Sequence, residues 1–242
     1  MSTTAVQAHR GSPDPAGGIA ENTLAAFNRA RLLGADGVEL DVRLTRDGAL
    51  AVHHDPVVAG AGPVAELVAG ELPDDVPLLA QALEACHGLT VNIEIKNLPG
   101  ESAFDPGERA AEAVARLVAG RAQVPDVVVS SFWPGSLDAV HRVAPAVPTG
   151  LLVASWFGPA DCVPLALDHA CTALHPHASL VTEALVTEAH RAGLAVAAWT
   201  VNDPSELERM ARAGVDTVIT DDVPLALSLR TEGPVPPTPQ PR

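Results

Sequence analysis

Glu39 and Asp41 stand two residues apart in the apolar run "GVELDVRL", and "NIEIK" at 92–96 sets Asn92, Glu94 and Lys96 on the same spacing. In an extended strand side chains alternate between two faces, so Glu39 and Asp41 share one face while Val38, Leu40 and Val42 share the other. The second run repeats the plan, with Val91, Ile93 and Ile95 opposite Asn92, Glu94 and Lys96. Three carboxylates brought to one place repel one another and are costly to bury unpaired. Two arrangements relieve them: pairing with Arg10 and Lys96, or one hard divalent cation, Mg2+ or Ca2+, held through oxygen. The acids are not accompanied by Cys or His at zinc-ligand spacing, which favours the oxygen-only site.

His9 ends the run "TAVQAH" on the same face as Gln7, and Arg10 and Gly11 follow at once. A histidine beside an acid cluster is a candidate for proton transfer, and packing in a core is the alternative. A second candidate is one of the doubled His53 and His54, between which spacing does not choose. Trp199 and Asp221, at the ends of later apolar runs, can line the same mouth, with Phe132 and His175 as secondary candidates. Lys96 is the only lysine in a chain whose other fourteen basic residues are arginine, so it stands out against its background.

These side chains need a scaffold that points several strand ends at one place. Eight short apolar runs, at 4–9, 37–44, 89–96, 126–132, 149–154, 171–175, 194–201 and 216–221, alternate with Ala-rich segments of helical period. In "NTLAAFNRARLLG" Asn22 can cap the first turn and Gly34 end the last, and "TEALVTEAHRAG" and "DPSELERMARAG" follow the same plan. Eight β/α units predict a single closed (β/α)8 TIM barrel over 1–230, with inward residues converging at the C-terminal ends of the strands. An open doubly wound sheet is the alternative, but no GxGxxG follows the first run. The long connection from Arg46 to Pro77 reads as an extra hairpin-like run to His54 and then a Gly/Pro-rich loop over one end of the barrel. The Pro-rich tail 231–242 reads as disordered.

With 242 residues and 47% hydrophobic content the chain can bury an ordinary core. A net charge of −15 excludes nucleic-acid or anionic-headgroup docking by a basic patch, so an anionic substrate must be attracted locally. Cys86, Cys162 and Cys171 are scattered, without CxxC, which argues against a disulfide framework. The first residues lack a signal-peptide pattern and no apolar run reaches membrane-spanning length, so the expectation is a soluble cytoplasmic protein without stable membrane association.

Taken in order, "HRG" at 9–11, "ENTLAAF" at 21–27, "GADGVELDVRLTRDG" at 34–48, "HD" at 54–55, "IEIK" at 93–96, "WTVN" at 199–202 and "ITD" at 219–221 resemble the glycerophosphodiester phosphodiesterase family. The resemblance implies a TIM barrel that hydrolyses glycerophosphodiesters to an alcohol and glycerol 3-phosphate with a divalent metal. It implies Glu39, Asp41 and Glu94 as metal ligands, His9 and His54 as the acid and base, and Arg10 and Lys96 as phosphate contacts. Because "HD" pairs with Asp55, it selects His54 over His53, which is then expected to be replaceable. Ala20 stands where the family often has proline, and "TDDVP" carries its proline one place late, departures that bear on loop shape and leaving-group preference.

A divalent ion with Arg10 and Lys96 would carry one more charge than the three carboxylates, which suits a monoanionic diester. Trp199 would wall the glycerol carbons or fill the top of the core. Two other activities compete. A lysophospholipase D-like enzyme would use the same groups on a lipid, but only 3% of residues are aromatic and no basic patch offers a landing surface. A Schiff-base aldolase-type barrel would use Lys96 as nucleophile.

Overall fold

A computed structural model describes residues 4–120, 126–155 and 161–230. The tail 231–242 lies outside the described residues. In chain order the elements are β1 (Ala5–Ala8), α1 (Leu24–Leu33), β2 (Gly37–Leu44), β3 (Leu50–Val52), β4 (Val57–Val58), β5 (Gly62–Pro63), α2 (Leu79–Ala85), β6 (Thr90–Ile95), α3 (Arg109–Ala119) and β7 (Val127–Ser131). They continue with α4 (Pro134–Val143), β8 (Thr149–Val153), α5 (Cys162–Asp168), β9 (Ala173–Pro176), α6 (Glu183–Arg191), β10 (Ala195–Ala198), α7 (Pro204–Ala213), β11 (Thr217–Thr220) and α8 (Val223–Ser228).

The parallel strands run in the order β1-β11-β10-β9-β8-β7-β6-β2, and β2 pairs back onto β1 through Gln7 with Gly37 and Ala8 with Val38. That pairing closes the expected (β/α)8 barrel, and each of the eight apolar runs supplies one of its strands. Val38, Leu40, Val42, Val91, Ile93 and Ile95 are all 2% exposed or less, within the core formed between the strands and the helix layer. Cutting such a side chain back to alanine costs roughly 2–5 kcal/mol, since the packed neighbours close the gap only in part. The register sets Glu39 beside Asn92 and Asp41 beside Glu94, so the two acid-bearing strands present their polar faces level with each other.

Side-chain caps fix where α1, α6, α7 and α8 begin. Thr182 and Asp203 cap α6 and α7 by accepting from Leu185 N–H at 3.1 Å and Ser205 N–H at 2.8 Å. At α1 the expectation of an Asn22 cap is corrected. Thr23 is the cap, its hydroxyl accepting from Ala26 N–H at 3.2 Å, and Gly34 closes the helix at φ 85°. Asn22 stands one residue earlier, in the left-handed region at φ 57°, and sends its amide into the barrel mouth instead.

β2 outlasts its parallel neighbours, and β3 folds back on its end as an antiparallel hairpin with Arg43 opposite Ala51. The chain then makes the small β4–β5 ribbon, and Ala51, Val58 and Val64 form a separate small core under it. This excursion, the predicted hairpin and loop, carries His53 and His54 to the C-terminal rim of the barrel.

Candidate active site

The "HRG" turn leaves β1 at the rim. Arg10 and Gly11 both take left-handed backbone angles, φ 55° and 78°, and a Cβ on Gly11 would come within 2.9 Å of Ala26. Glycine is therefore required where the chain slips beneath α1. The turn aims the Arg10 backbone N–H at Glu39 Oε2, 2.9 Å away.

Glu39, Asp41 and Glu94 are buried, and each offers a carboxylate oxygen within 4.8 Å of those of the others. Lys96 Nζ bridges two of them, 3.0 Å from Asp41 Oδ1 and 2.5 Å from Glu94 Oε1. Asp41 Oδ2 also accepts from Asn22 Nδ2 at 2.8 Å and lies 3.4 Å from Arg10 Nε. Among the described residues Glu39 Oε1 is buried with no hydrogen-bond partner.

The acids divide their electrostatics unequally. Burial alone would raise the Asp41 carboxyl, but Lys96 above all, then His54 and Arg10, pull it well below the ordinary range. Glu39 goes the other way: burial first and then the neighbouring Asp41 push it up to about 8, against the pull of His9. Glu94 is also raised, because burial and Asp41 outweigh Lys96. Lys96 and Arg10 bring two positive charges to three carboxylates, a deficit of one. An all-oxygen set with one orphaned buried oxygen fits a hard cation better than a closed salt-bridge network, which would leave no acceptor unpaired. The two cations are thus partly used in neutralising acids, an arrangement that strand alternation alone did not distinguish from free phosphate contacts.

His9 donates through Nδ1 to Asp221 Oδ1 at 2.7 Å, which turns Nε2 toward Glu39 Oε2, 4.0 Å away. Burial would lower its pKa, but the hydrogen bond to Asp221 and the Glu39 charge outweigh it, and the net direction is up. Asp221 is itself held: its Oδ2 accepts from Asn202 Nδ2 at 2.6 Å, and its own N–H donates to Asn202 Oδ1 at 2.8 Å. Across the mouth His54 donates Nδ1 to Asp55 Oδ1 at 2.7 Å. The sequence marks Asp221 only as a candidate lining residue and assigns Asn202 no separate role. The available signal is their position past the C-terminal ends of β11 and β10, Asp221 directly after β11 and Asn202 in the loop after β10.

A cavity of about 300 Å3 is lined by His9, Arg10, His54, Glu94, Lys96 and Trp199, together with Leu98, Glu101, Phe132 and Trp133. Trp199 is a cavity wall, anchored by its indole N–H on the His175 carbonyl at 2.7 Å and edge-on to Phe132 at 5.6 Å. His53 does not line this cavity; its Nδ1 bonds the Asp55 carbonyl oxygen at 2.9 Å. His175 is corrected from a mouth residue to a core one. It is 2% exposed, outside the cavity lining, and packed so close to Gly150 that a Cβ there would meet its Nε2 at 2.5 Å.

Residues 9–225 match the sequence model of the Glycerophosphoryl diester phosphodiesterase family. A glycerophosphodiester phosphodiesterase of Caldanaerobacter subterraneus subsp. tengcongensis is 34% identical, over 95% of this chain and 99% of that one. Another, from Bacillus altitudinis, is 30% identical with the same coverage, 95% and 99%. Among solved structures, an Oleispira antarctica phosphodiesterase in complex with the product sn-glycerol-3-phosphate superposes with a TM-score of 0.81 at 26% identity, covering 94% of this chain and 96% of that one. A Silicibacter pomeroyi putative glycerophosphoryl diester phosphodiesterase gives a TM-score of 0.81 at 28% identity, over 94% and 93%. With the barrel, the acid cluster and a match over nearly the whole described chain in agreement, the chain belongs to the glycerophosphoryl diester phosphodiesterase family.

Proposed function

We propose that this barrel hydrolyses glycerophosphodiesters to an alcohol and glycerol 3-phosphate, with His9 and His54 moving the protons. The observation that carries the reading is the shared cavity: His9 and His54, each pinned through Nδ1 to a carboxylate, border the space that Glu94, Lys96 and Arg10 also line. Glu39, Asp41 and Glu94 are the residues that would hold one divalent cation, Mg2+ or Ca2+. When bound, such an ion supplies positive charge to a phosphoryl oxygen.

A phosphodiester resists attack because its negative charge repels nucleophiles and its leaving alkoxide is poor. Arg10 and Lys96 hold positive charge at the cavity wall, and the carboxylates they neutralise keep both ordered. With Nδ1–H donated to an aspartate, the Nε2 of each neutral imidazole is the free acceptor. One imidazole takes the proton of the attacking oxygen and the other, protonated, returns one to the leaving alkoxide, each worth ~10²- to 10⁴-fold. Trp199 and Phe132, packed edge to face, offer the apolar wall for carbon atoms of the substrate.

Lys96 as a Schiff-base nucleophile is disfavoured, since a nucleophilic amine must be neutral. Burial would favour that, but Glu94 and Asp41 hold the ammonium and raise its pKa. No helix among the described residues is long and apolar enough to cross a membrane. Three free, buried cysteines and the acidic surface support a cytoplasmic setting with small-molecule substrates rather than lipid bilayers.

The deciding experiment is a chelator and metal titration over a panel of glycerophosphodiesters and their acylated lyso forms. Loss of turnover with chelator, rescue by Mg2+ or Ca2+ and preference for the deacylated substrates are expected. Chelator-insensitive turnover, or a preference for the lyso lipids, would refute the assignment.

A further inference from the structure

Arg43 follows Glu39 and Asp41 on the same face of β2, two residues beyond Asp41, and has no role in the site described above. It is 6% exposed, so its charge requires a partner. It has two. Nε donates to the backbone carbonyl of His54 at 2.7 Å, and Nη1 donates to Glu101 Oε2 at 3.0 Å. Arg43 does not line the 300 Å3 cavity, whereas His54 and Glu101 both do. The guanidinium thus stands behind the wall and grips two of its members at once.

We infer that Arg43 is a positioning residue for His54, fixing the imidazole's place over the cavity by holding its backbone and tying that loop to the Glu101 loop. This rests on the role proposed above for His54. His54 stands two residues past the end of β3, on a rim loop. Upstream it is tied by His53 N–H to the Asp41 carbonyl at 3.0 Å. Downstream the Pro56 carbonyl accepts from Val64 N–H at 2.9 Å, so the Arg43 bond is the tie at His54 itself between these two anchors, and losing it loosens the short stretch they flank. A planar fork can serve a carbonyl and a carboxylate in fixed directions, which a lysine ammonium on a flexible stem cannot. A displacement of about 1 Å in a proton-transfer group costs on the order of 10²-fold in rate.

The test is a double-mutant cycle of Arg43→Gln and His54→Ala, read as kcat and KM on a glycerophosphodiester, with thermal unfolding measured for each variant. Arg43→Gln in the wild-type background is expected to lower kcat roughly 10- to 100-fold with KM changed less than about threefold. In the His54→Ala background the same substitution is expected to cost less than about twofold, because the residue it positions is gone. General damage to the fold would lower the residual activity equally in both backgrounds. Should Arg43→Gln not accumulate as folded protein, Arg43→Lys carries the same cycle with an intermediate loss. Equal losses in both backgrounds, or no loss in the wild-type background, overturn the assignment of Arg43 alone. A His54→Ala enzyme as active as wild type refutes the role of His54 itself, and that of Arg43 with it.

Discussion

Asp221 accepts the Nδ1 hydrogen of His9 at 2.7 Å across 212 residues of sequence, and Asn202 clamps its other oxygen. The pair fixes the His9 tautomer and turns Nε2 toward the acid cluster. Asp221→Asn is expected to lower kcat about 10- to 100-fold, less than the ~10²- to 10⁴-fold loss of His9→Ala, since the ring remains but its orientation and charge support weaken. Steady-state kinetics of the two variants side by side check this. An Asp221→Asn enzyme with wild-type kcat would show that the pair has no part in turnover.

His53 and His54 should separate cleanly. His54 borders the main cavity and His53 does not. His53→Ala is expected to keep activity within about threefold, and His54→Ala to lose ~10²- to 10⁴-fold. Equal losses would place both rings in the chemistry.

In the proposed site Glu39 would tie cation binding to protons. Burial and Asp41 raise its carboxyl to about 8, so below that pH it is largely protonated until a cation competes for it. Binding at pH 7 is therefore expected to release close to one proton, and affinity to rise with pH up to about 8. Calorimetry of Mg2+ or Ca2+ binding in two buffers of different ionisation enthalpy measures the release directly. Identical heats in both buffers would contradict it, and Glu39→Gln should abolish the buffer dependence.

His175 predicts an acid weakness of the fold. Burial lowers its pKa from 6.5 to about 4. Between those values the unfolded chain binds a proton that the native chain refuses, so stability falls as pH drops through 6.5 and levels off below about 4. From pH 7 to pH 5 this group's share is roughly 2 kcal/mol. Denaturant unfolding of wild type and His175→Asn at both pH values should show that difference shrinking in the variant. An unchanged pH dependence would mean that His175 is not the group responsible.

Gly11 tests the turn beneath α1. Gly11→Ala places a Cβ about 2.9 Å from Ala26 in a left-handed backbone conformation. A stability loss on the order of 1–3 kcal/mol is expected from that strain. Reduced activity should accompany it, because the Arg10 N–H is aimed at Glu39 by the same turn. Thermal unfolding and kinetics of this one variant measure both.

Period-two alternation in "VELDV" and "NIEIK" was enough to turn Glu39, Asp41 and Glu94 inward, and eight such runs with helices between them were enough for a closed barrel. These follow from sequence because a strand's two faces are a local property, set by backbone geometry and read residue by residue. What no local pattern contains is the partner. That Asn22 reaches Asp41 rather than capping α1, that Asp221 meets His9, and that Arg43 grips Glu101 58 residues away depend on ring closure and strand register. Alternation likewise could not divide His53 from His54, because both lie beyond β3, where the loop's anchors and not the pleat decide which ring faces the cavity. Sequence determined which residues face inward; only the closed barrel decided which of them meet.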